Sequence, residues 1–323
     1  MPDIRRLCFV ITDRCPVECD SCCFACSPRK RARLPLPVML DYIGQAKETG
    51  RIRAVAVSGG EPFLHYGDVL KLARAARKNG LAFRTITNGY WARSDALVRR
   101  RLRELRDAGV PTLRVSADCF HADHIPLDRI RRLLSIAYAE GYPLSLGVSS
   151  TRSRPGLKML VDRLGSDLHG VSILEFACLP AGRARTAVPP EDFIGDRAIP
   201  RMPCSNRMII GIMPDGAVYS CCSVVDRNDM LRLGRAPRDS LRTLVENFWR
   251  SPMRRILHEH GVCWFTDRIR GKRIPIALDR AFVNDCHVCS EILAAPENRP
   301  LLEPLVEEFK REETKAFFRD WGM

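Results

Sequence analysis

Residues 7–22 read LCFVITDRCPVECDSC and join an apolar run to a cysteine-rich loop. The run Leu7–Thr12 has the length and the composition of a buried β-strand. Cys15, Cys19 and Cys22 follow it, with three and then two residues between them. A loop with this spacing can wrap a cubane iron–sulfur cluster and hold three of its four irons by thiolate. The fourth iron would stay open to a small molecule.

Two alternatives to this interpretation of the loop are open. Cys19, Cys23 and Cys26 repeat the same spacing, so the cluster has a second possible register. The short junction Thr12–Arg14 fixes the distance from the strand to Cys15 and favours the first register. Closely spaced cysteines also form zinc sites, so zinc is the alternative metal for the loop alone.

Glycine and polar residues follow the ends of the next apolar runs. The run Ala54–Ser58 stops at Gly59-Gly60-Glu61-Pro62, where the glycines leave backbone groups accessible and Glu61 offers an anionic acceptor for an ammonium group. The runs Phe83–Thr87 and Leu113–Ser116 also lead into polar residues. The candidate ligand-binding residues at these ends are Gly59, Gly60, Glu61, Asn88, Ser116 and Asp118.

Amphipathic stretches of helical period separate six candidate strands, of which the last two are Leu144–Ser149 and Ser172–Leu179. This alternation predicts an α/β fold with a parallel sheet, here a partial (β/α)6 barrel. Ligands in such barrels bind at the carboxyl ends of the strands, where the candidate residues fall. The predicted helices are Val38–Thr49, Val69–Asn79, Ala96–Ala108, Leu127–Gly141 and Gly156–Leu164.

The cysteine loop and the later motifs, taken in chain order, resemble the signature of radical S-adenosylmethionine (SAM) enzymes. The resemblance implies a [4Fe–4S] cluster whose open iron binds the amino and carboxylate groups of SAM, and reductive cleavage of SAM to a 5′-deoxyadenosyl radical. It also implies an electron donor such as flavodoxin or ferredoxin. Ser21 departs from the family, which usually has an aromatic residue before the third cysteine.

The same resemblance implies which residues bind SAM. Gly59-Gly60-Glu61 matches the motif that receives the methionine amino group. Ser116 and Asp118 lie where the family contacts the ribose and methionine parts, and Asn88 follows the third strand. Arg152, just after the fifth strand, is a candidate partner for the SAM carboxylate, because a guanidinium can hold a carboxylate with two hydrogen bonds.

Cysteines flank a predicted β-hairpin, Met208–Val225, in the second half of the chain. Together with Cys286 and Cys289 they resemble the twitch or shortened SPASM extension of radical SAM enzymes. The resemblance implies one auxiliary [4Fe–4S] cluster in a small α+β domain, with zinc as the alternative. Its implied ligands are Cys204, Cys221, Cys286 and Cys289, with Cys222 as the alternative to Cys221. The predicted domains are 1–187 (barrel), 188–300 (auxiliary domain) and 301–323 (helical tail).

Two further cysteines are candidate hydrogen-atom donors to a substrate radical. Cys178 follows the sixth strand and Cys263 lies in the second half of the chain. For both, a role as a small buried apolar side chain is the more common one.

The net charge of +14 comes from 44 arginines and 8 lysines, the 52 basic residues, against 38 acidic ones. No interleaving of aromatic and basic residues accompanies it, so nucleic-acid binding is not expected, whereas an anionic substrate or an acidic peptide partner is. No apolar stretch approaches the ~20 residues that cross a bilayer, so no membrane partner is expected. Fourteen cysteines without a signal peptide predict a cytoplasmic protein that binds metal.

The expected reaction is abstraction of a hydrogen atom from a substrate, followed by oxidation or epimerisation. The single auxiliary cluster resembles the inosamine dehydrogenases, so the first candidate substrate is a polar metabolite such as a sugar, an aminocyclitol or a nucleoside. The second candidate is a ribosomally made peptide that becomes crosslinked or epimerised.

Overall fold

One mixed sheet forms the centre of the molecule. The computed structural model describes residues 4–199, 201–204, 208–221 and 229–320. The strands are β1 (Arg6–Val10), β2 (Ala54–Ser58), β3 (Ala82–Thr87), β4 (Leu113–Ser116), β5 (Leu144–Ser150), β6 (Ser172–Ala177), β7 (Ile209–Ile212), β8 (Ala217–Tyr219) and β9 (Arg232–Arg235). Their order across the sheet is β6-β5-β4-β3-β2-β1-β7-β8-β9.

Helices follow the first six strands as the sequence pattern predicts. The helices are α1 (Leu36–Thr49), α2 (Tyr66–Lys78), α3 (Asp95–Ala108), α4 (Cys119–Ala122), α5 (Leu127–Ala139), α6 (Gly156–Leu164), α7 (Ala184–Ala187), α8 (Leu241–Arg250), α9 (Pro252–Glu259), α10 (Cys263–Gly271), α11 (Asp285–Leu293) and α12 (Arg299–Asp320). Local signals set their ends. For example, the Ser94 side chain caps α3 by accepting a hydrogen bond from the Leu97 N–H, and Gly109 ends that helix in the left-handed conformation.

Strands β1 to β6 are parallel neighbours, as predicted. Because side chains alternate along a strand, each strand has one face toward the helices and one toward the opposite side, here called the lumen. Leu7 and Phe9 of β1 face the helices and are fully buried. Because the six strands are parallel, their carboxyl ends all lie at one end of the lumen.

The second half of the chain extends this sheet. Strand β7 pairs with β1 in parallel, and β7 and β8 form the predicted antiparallel hairpin. Phe248 of α8 lies in the barrel core, so residues beyond 187 share that core. A second core is formed by α9, α10, α11 and the first half of α12, where Leu302 and Phe309 are buried. Cys222 lies outside the described residues.

No helix in the described part of the chain combines the length and the apolar character that a membrane crossing requires.

The shared core leads to a stability prediction. Phe248→Ala should lower the free energy of unfolding by about 3–5 kcal/mol, because a large side chain is removed from a fully packed site. Denaturant unfolding followed by circular dichroism measures this loss. Phe317→Ala is the matched control, since Phe317 is 55% exposed and its removal should change the value by less than ~0.5 kcal/mol. Equal effects of the two substitutions would contradict a core shared between barrel and extension.

Candidate functional site

An open cavity of about 380 Å³ lies at the carboxyl ends of β2 to β6. Among its lining residues are Cys15, Cys19, Cys22, Gly59, Gly60, Asn88, Ser116 and Asp118. Residues predicted from separate motifs therefore meet in one place. Small-molecule sites usually measure ~300–1,000 Å³, and this cavity falls within that range.

The Gly59-Gly60 turn packs against the segment that leads into Cys15. A Cβ atom on Gly60 would lie 2.1 Å from the Arg14 carbonyl oxygen, so only glycine fits there. The Gly60 N–H donates to the Thr12 carbonyl at 2.7 Å, and the Glu61 N–H donates to the Arg14 carbonyl at 2.9 Å. These contacts hold the cysteine loop over the end of β2.

The Glu61 carboxylate lies between the ends of β2 and β3. Its carboxylate is buried and accepts hydrogen bonds from the Phe63 N–H at 2.9 Å, the Thr87 hydroxyl at 2.8 Å and the Asn88 N–H at 2.8 Å. Burial raises its pKa to about 7, although these hydrogen bonds act in the opposite direction. The side chain is not among the residues that line the cavity. The carboxylate joins β2 to β3, and its role as an acceptor for the SAM ammonium stays a prediction.

The cysteines of both possible registers lie close together in the loop and line the cavity. Burial raises the pKa of Cys15 to about 12, and the nearby Cys22 adds to this shift. Burial also raises the pKa of Cys19, with Cys15 and Cys22 among the contributing neighbours. Cys26 lies beside Cys22, whose sulfur accepts a hydrogen bond from the Cys26 N–H at 3.3 Å. Hydrogen bonding from Cys26 holds the pKa of Cys22 below its ordinary value.

A short segment after β6 clamps the same loop. The Arg183 guanidinium donates to the carbonyl oxygens of Cys19 at 2.8 Å and Cys26 at 2.7 Å, and the Arg183 N–H donates to Cys22 O at 2.9 Å. Gly182 lies so close that a Cβ atom would be 2.3 Å from the Cys23 carbonyl oxygen. The sequence contained this signal as the pair Gly182-Arg183, but it did not show what the arginine contacts.

Asn88 reaches the cysteine loop as well as the cavity. Its side-chain amide donates to the Cys15 sulfur at 3.6 Å, and its Oδ1 accepts from the Tyr90 N–H at 3.1 Å. Hydrogen bonds to ligand sulfurs tune the potential of an iron–sulfur cluster. Asn88 is thus placed to act on Cys15, whereas its predicted contact with SAM stays a prediction.

Asp118 forms a buried pair with His121 at the cavity. The carboxylate accepts from the His121 ring at 2.8 Å, from the N–H groups of Phe120 and His121, and from the Ser149 N–H. Burial raises the pKa of Asp118, but the His121 charge and these hydrogen bonds outweigh burial and lower it overall. The carboxylate therefore stays ionised, caps α4 and fixes the His121 ring against the cavity.

The arginine at the cavity is Arg114 and not Arg152. Arg152 is exposed and does not line the cavity, and its contact with the SAM carboxylate stays a prediction. Arg114 of β4 does line it, and its side chain lies over Gly147 of β5, where a Cβ atom would be 3.7 Å from Arg114 Cδ. The sequence signal was available, because Arg114 stands two residues before Ser116 and so shares its face of the strand.

The two candidate hydrogen donors lie elsewhere. Cys178 is 2% exposed in a small apolar cluster with Cys19 and Phe120, and it does not line the cavity. Cys263 begins α10, where its thiol donates to the His260 carbonyl oxygen at 2.9 Å. Both thiols are buried, the role that is more common for such cysteines, and hydrogen-atom donation by either stays a prediction.

The second cysteine set surrounds another cavity. Cys204, Cys221, Cys286 and Cys289 all line it, together with Arg254. Burial raises the pKa of Cys289 well above its usual value, and Cys221, Cys286 and Cys204 lie near enough to add to this shift. Arg254 is buried against the rings of Phe248 and Trp249, and among the described residues its Nε and Nη1 have no hydrogen-bond partner. An anionic centre held by four thiolates would satisfy this cation, so the residues fit such a group.

Zinc and an iron–sulfur cluster both stay alternatives for the two cysteine sets. In the described ranges, no three His, Cys, Asp or Glu side chains converge closely enough to hold one metal ion. The members of each cysteine set line one cavity.

Comparison with known proteins points to one family. Residues 9–140 match the model of the radical SAM superfamily. This stretch, which contains the cysteine loop and strands β2 to β4, has the sequence of a radical SAM domain. Members of this superfamily are enzymes, and their SAM-bound structures imply a [4Fe–4S] cluster and SAM as cofactors.

Two curated relatives differ in how much of the chain they cover. The putative peptide biosynthesis protein YydG of Bacillus subtilis (strain 168) is 24% identical over 314 residues, which is 95% of this chain and 97% of that protein. The GTP 3′,8-cyclase of Geobacter sulfurreducens is 30% identical over 149 residues, which is 43% of this chain and 44% of that protein.

A solved structure of the same fold spans nearly the whole chain. It is anSMEcpe with bound AdoMet and Cp18Cys peptide, 14% identical with a TM-score of 0.55, and the match covers 95% of this chain and 99% of that one. At this identity the likeness concerns the fold alone.

The buried Glu61 network gives a testable prediction. Glu61→Gln replaces one acceptor oxygen by a donor, so one of the three N–H or O–H groups loses its partner, at a cost of about 1–3 kcal/mol in unfolding free energy. Urea unfolding without SAM measures this loss. Glu48→Gln makes the same chemical change at an exposed position and should leave stability unchanged. Unchanged stability of Glu61→Gln together with weaker SAM binding would instead make Glu61 a direct SAM ligand.

Proposed function

We propose that the protein is a radical SAM enzyme that abstracts a hydrogen atom from a residue of a peptide. The carrying observation is that Cys15, Cys19 and Cys22 line the same cavity as Gly59, Gly60 and Ser116. When bound there, the cluster and SAM supply the 5′-deoxyadenosyl radical. The three thiolates would hold the cluster, and a donor such as flavodoxin or ferredoxin would reduce it.

The chain itself supplies position and shielding. Arg183 and Gly182 fix the backbone of the cysteine loop, and Asn88 donates to the Cys15 sulfur. Ser116 lies on the cavity wall within reach of a bound ligand. Partial enclosure protects a reactive radical from side reactions with solvent. Every one of these roles is orientation or tuning, because the cofactors carry the difficult chemistry.

The substrate class rests on the whole-length relative. YydG carries the description of a peptide biosynthesis protein and aligns over nearly the whole chain. The cavity is also wide and partly apolar: Leu174 and Phe176 on the lumen side of the edge strand β6 are 45% and 44% exposed. An open apolar wall at a sheet edge suits an extended chain that enters from the side. The polar metabolite, the first expectation from sequence, stays an untested alternative.

We also assign one auxiliary [4Fe–4S] cluster to Cys204, Cys221, Cys286 and Cys289. These four residues line one cavity beside the unpartnered Arg254 nitrogens. The cluster would accept an electron from the substrate or anchor it. Cys222 lies outside the described residues, so the alternative of Cys222 for Cys221 is left as predicted.

Formation of 5′-deoxyadenosine tests the cysteine register. Reconstituted anaerobically and reduced with dithionite, the protein should form 5′-deoxyadenosine, and Cys22→Ala should abolish its formation because an iron ligand is lost. Cys23→Ala is the matched control and should retain activity. Loss in Cys23→Ala with activity in Cys22→Ala would establish the other register. Liquid chromatography with mass spectrometry measures the product.

Deuterium transfer then identifies the substrate class. With a perdeuterated tryptic digest as the hydrogen source, part of the 5′-deoxyadenosine should carry one deuterium. A perdeuterated small-metabolite extract should give none. Deuterium from the metabolites and not from the peptides would overturn the peptide proposal in favour of the first expectation.

The iron content of the protein tests the auxiliary cluster. A variant with Cys286→Ala and Cys289→Ala should retain about four irons where the unaltered protein has about eight, because each [4Fe–4S] cluster contains four. Iron analysis and electron paramagnetic resonance measure this difference. Cys263→Ala, a neighbouring buried cysteine that does not line the cavity, should keep both clusters. Zinc in the unaltered protein, with iron unchanged in the variant, would overturn the assignment.

A further inference from the structure

Three arginines face the lumen below the candidate SAM site. Arg114 of β4 lines the cavity, and the charges of Arg84 of β3 and Arg6 of β1 act on it. Arg114 pairs in register with Ile86, so Arg84 lies one side-chain layer nearer the amino ends of the strands. The three cations therefore form a column that continues the floor of the cavity.

No acidic side chain neutralises this column. Among the described residues, none of the three guanidinium groups forms a hydrogen bond or ion pair with the protein. The Asp118 carboxylate at the cavity accepts hydrogen bonds from the His121 ring and from three backbone N–H groups. The Glu61 carboxylate is buried and accepts hydrogen bonds from three other donors. Glu175 of β6 alternates with the lumen-facing residues and contacts the Ser150 hydroxyl. Burial lowers the pKa of Arg114, and Arg84 and Arg6 lower it further.

An apolar surface adjoins the uppermost cation. A Cβ atom on Gly147 would be 3.7 Å from both Arg114 Cδ and Phe176 Cε2, so the two side chains lie side by side over this position of β5. Phe176 and Leu174 are exposed there. The cavity thus offers a guanidinium fork beside an open apolar face, a combination that fits an acidic group next to an apolar side chain.

We propose that Arg114 and Arg84 bind a carboxylate of the peptide substrate, an acidic side chain or the chain terminus, while Phe176 and Leu174 contact the neighbouring residue. This inference rests on the proposed peptide function. Arginine suits the role because its planar fork pairs with both carboxylate oxygens and it stays charged when desolvated. The carboxylate also relieves the repulsion among the three like charges. Bound there, it fixes the depth to which the peptide enters the lumen.

The test uses the reconstituted full-length enzyme with SAM and the probe peptide acetyl-Gly-Glu-Phe-Gly-amide. Its affinity should exceed that of the glutamine analogue about tenfold, the effect expected for one hydrogen-bonded charge. Arg114→Gln and Arg84→Gln should each remove this preference, and Arg114→Lys should keep part of it. Arg103→Gln makes the same change of charge on the exposed face of α3 and should keep it in full. Isothermal titration at one ionic strength measures all affinities.

Each contrary result assigns the site differently. An equal loss of the glutamate preference in Arg103→Gln would show that the preference comes from the overall charge of the protein. Loss of SAM affinity in Arg114→Gln, with the peptide preference intact, would make Arg114 a SAM ligand. Glutarate binding as tightly as the peptide would assign the site to a small organic acid, and a phosphoserine peptide binding more tightly would assign it to phosphate. SAM cleavage without peptide is measured in parallel, so a failure of the proposed function is seen separately.

Discussion

The close backbone packing of the Gly59-Gly60 turn against the segment before Cys15 is the contact on which the site depends. No side chain fits between Gly60 and the Arg14 carbonyl, so the cysteine loop can rest directly on the end of β2. The same turn directs Glu61 inward, where its carboxylate accepts the Asn88 N–H; the Asn88 amide in turn donates to the Cys15 sulfur. One chain of hydrogen bonds therefore runs from β2 through β3 to a cluster ligand.

Helix α7 and the residue before it join the two cysteine sites. Arg183 holds the carbonyl oxygens of the first loop, while Arg185, two residues later, contacts Ser290 at 3.4 Å and pairs with Glu291 at 3.6 Å on α11, the helix that carries Cys286 and Cys289. With β7 paired to β1, this places the second half of the chain as an extension of the barrel. Movement of either cysteine set would therefore be resisted by contacts with the other.

The carboxylates at the candidate SAM site and the arginines in the lumen differ in the partners that the protein gives them. The two carboxylates nearest the candidate SAM site are satisfied by the protein's own donors, whereas the lumen arginines have no acidic partner in the part of the chain that the structure describes. Buried carboxylates with complete hydrogen bonding act as structural ties, since removing a donor would leave an uncompensated charge. The remaining capacity for polar binding is therefore for anions, in agreement with the excess of basic residues in the composition.

The sequence determined the six parallel strands, the helices between them, the hairpin and the cysteine loop, because each of these follows from local periodicity, glycine turns and residue spacing. It could not determine which way individual side chains point. The Glu61 carboxylate accepts hydrogen bonds from Phe63, two residues on, and from Thr87 and Asn88 at the end of β3, and Arg152 is exposed after β5. Contacts between segments that are distant in the sequence set the positions of Arg114, Arg183 and Cys26. Such contacts join residues up to 164 positions apart, as between Arg183 and Cys19, and no local pattern encodes them.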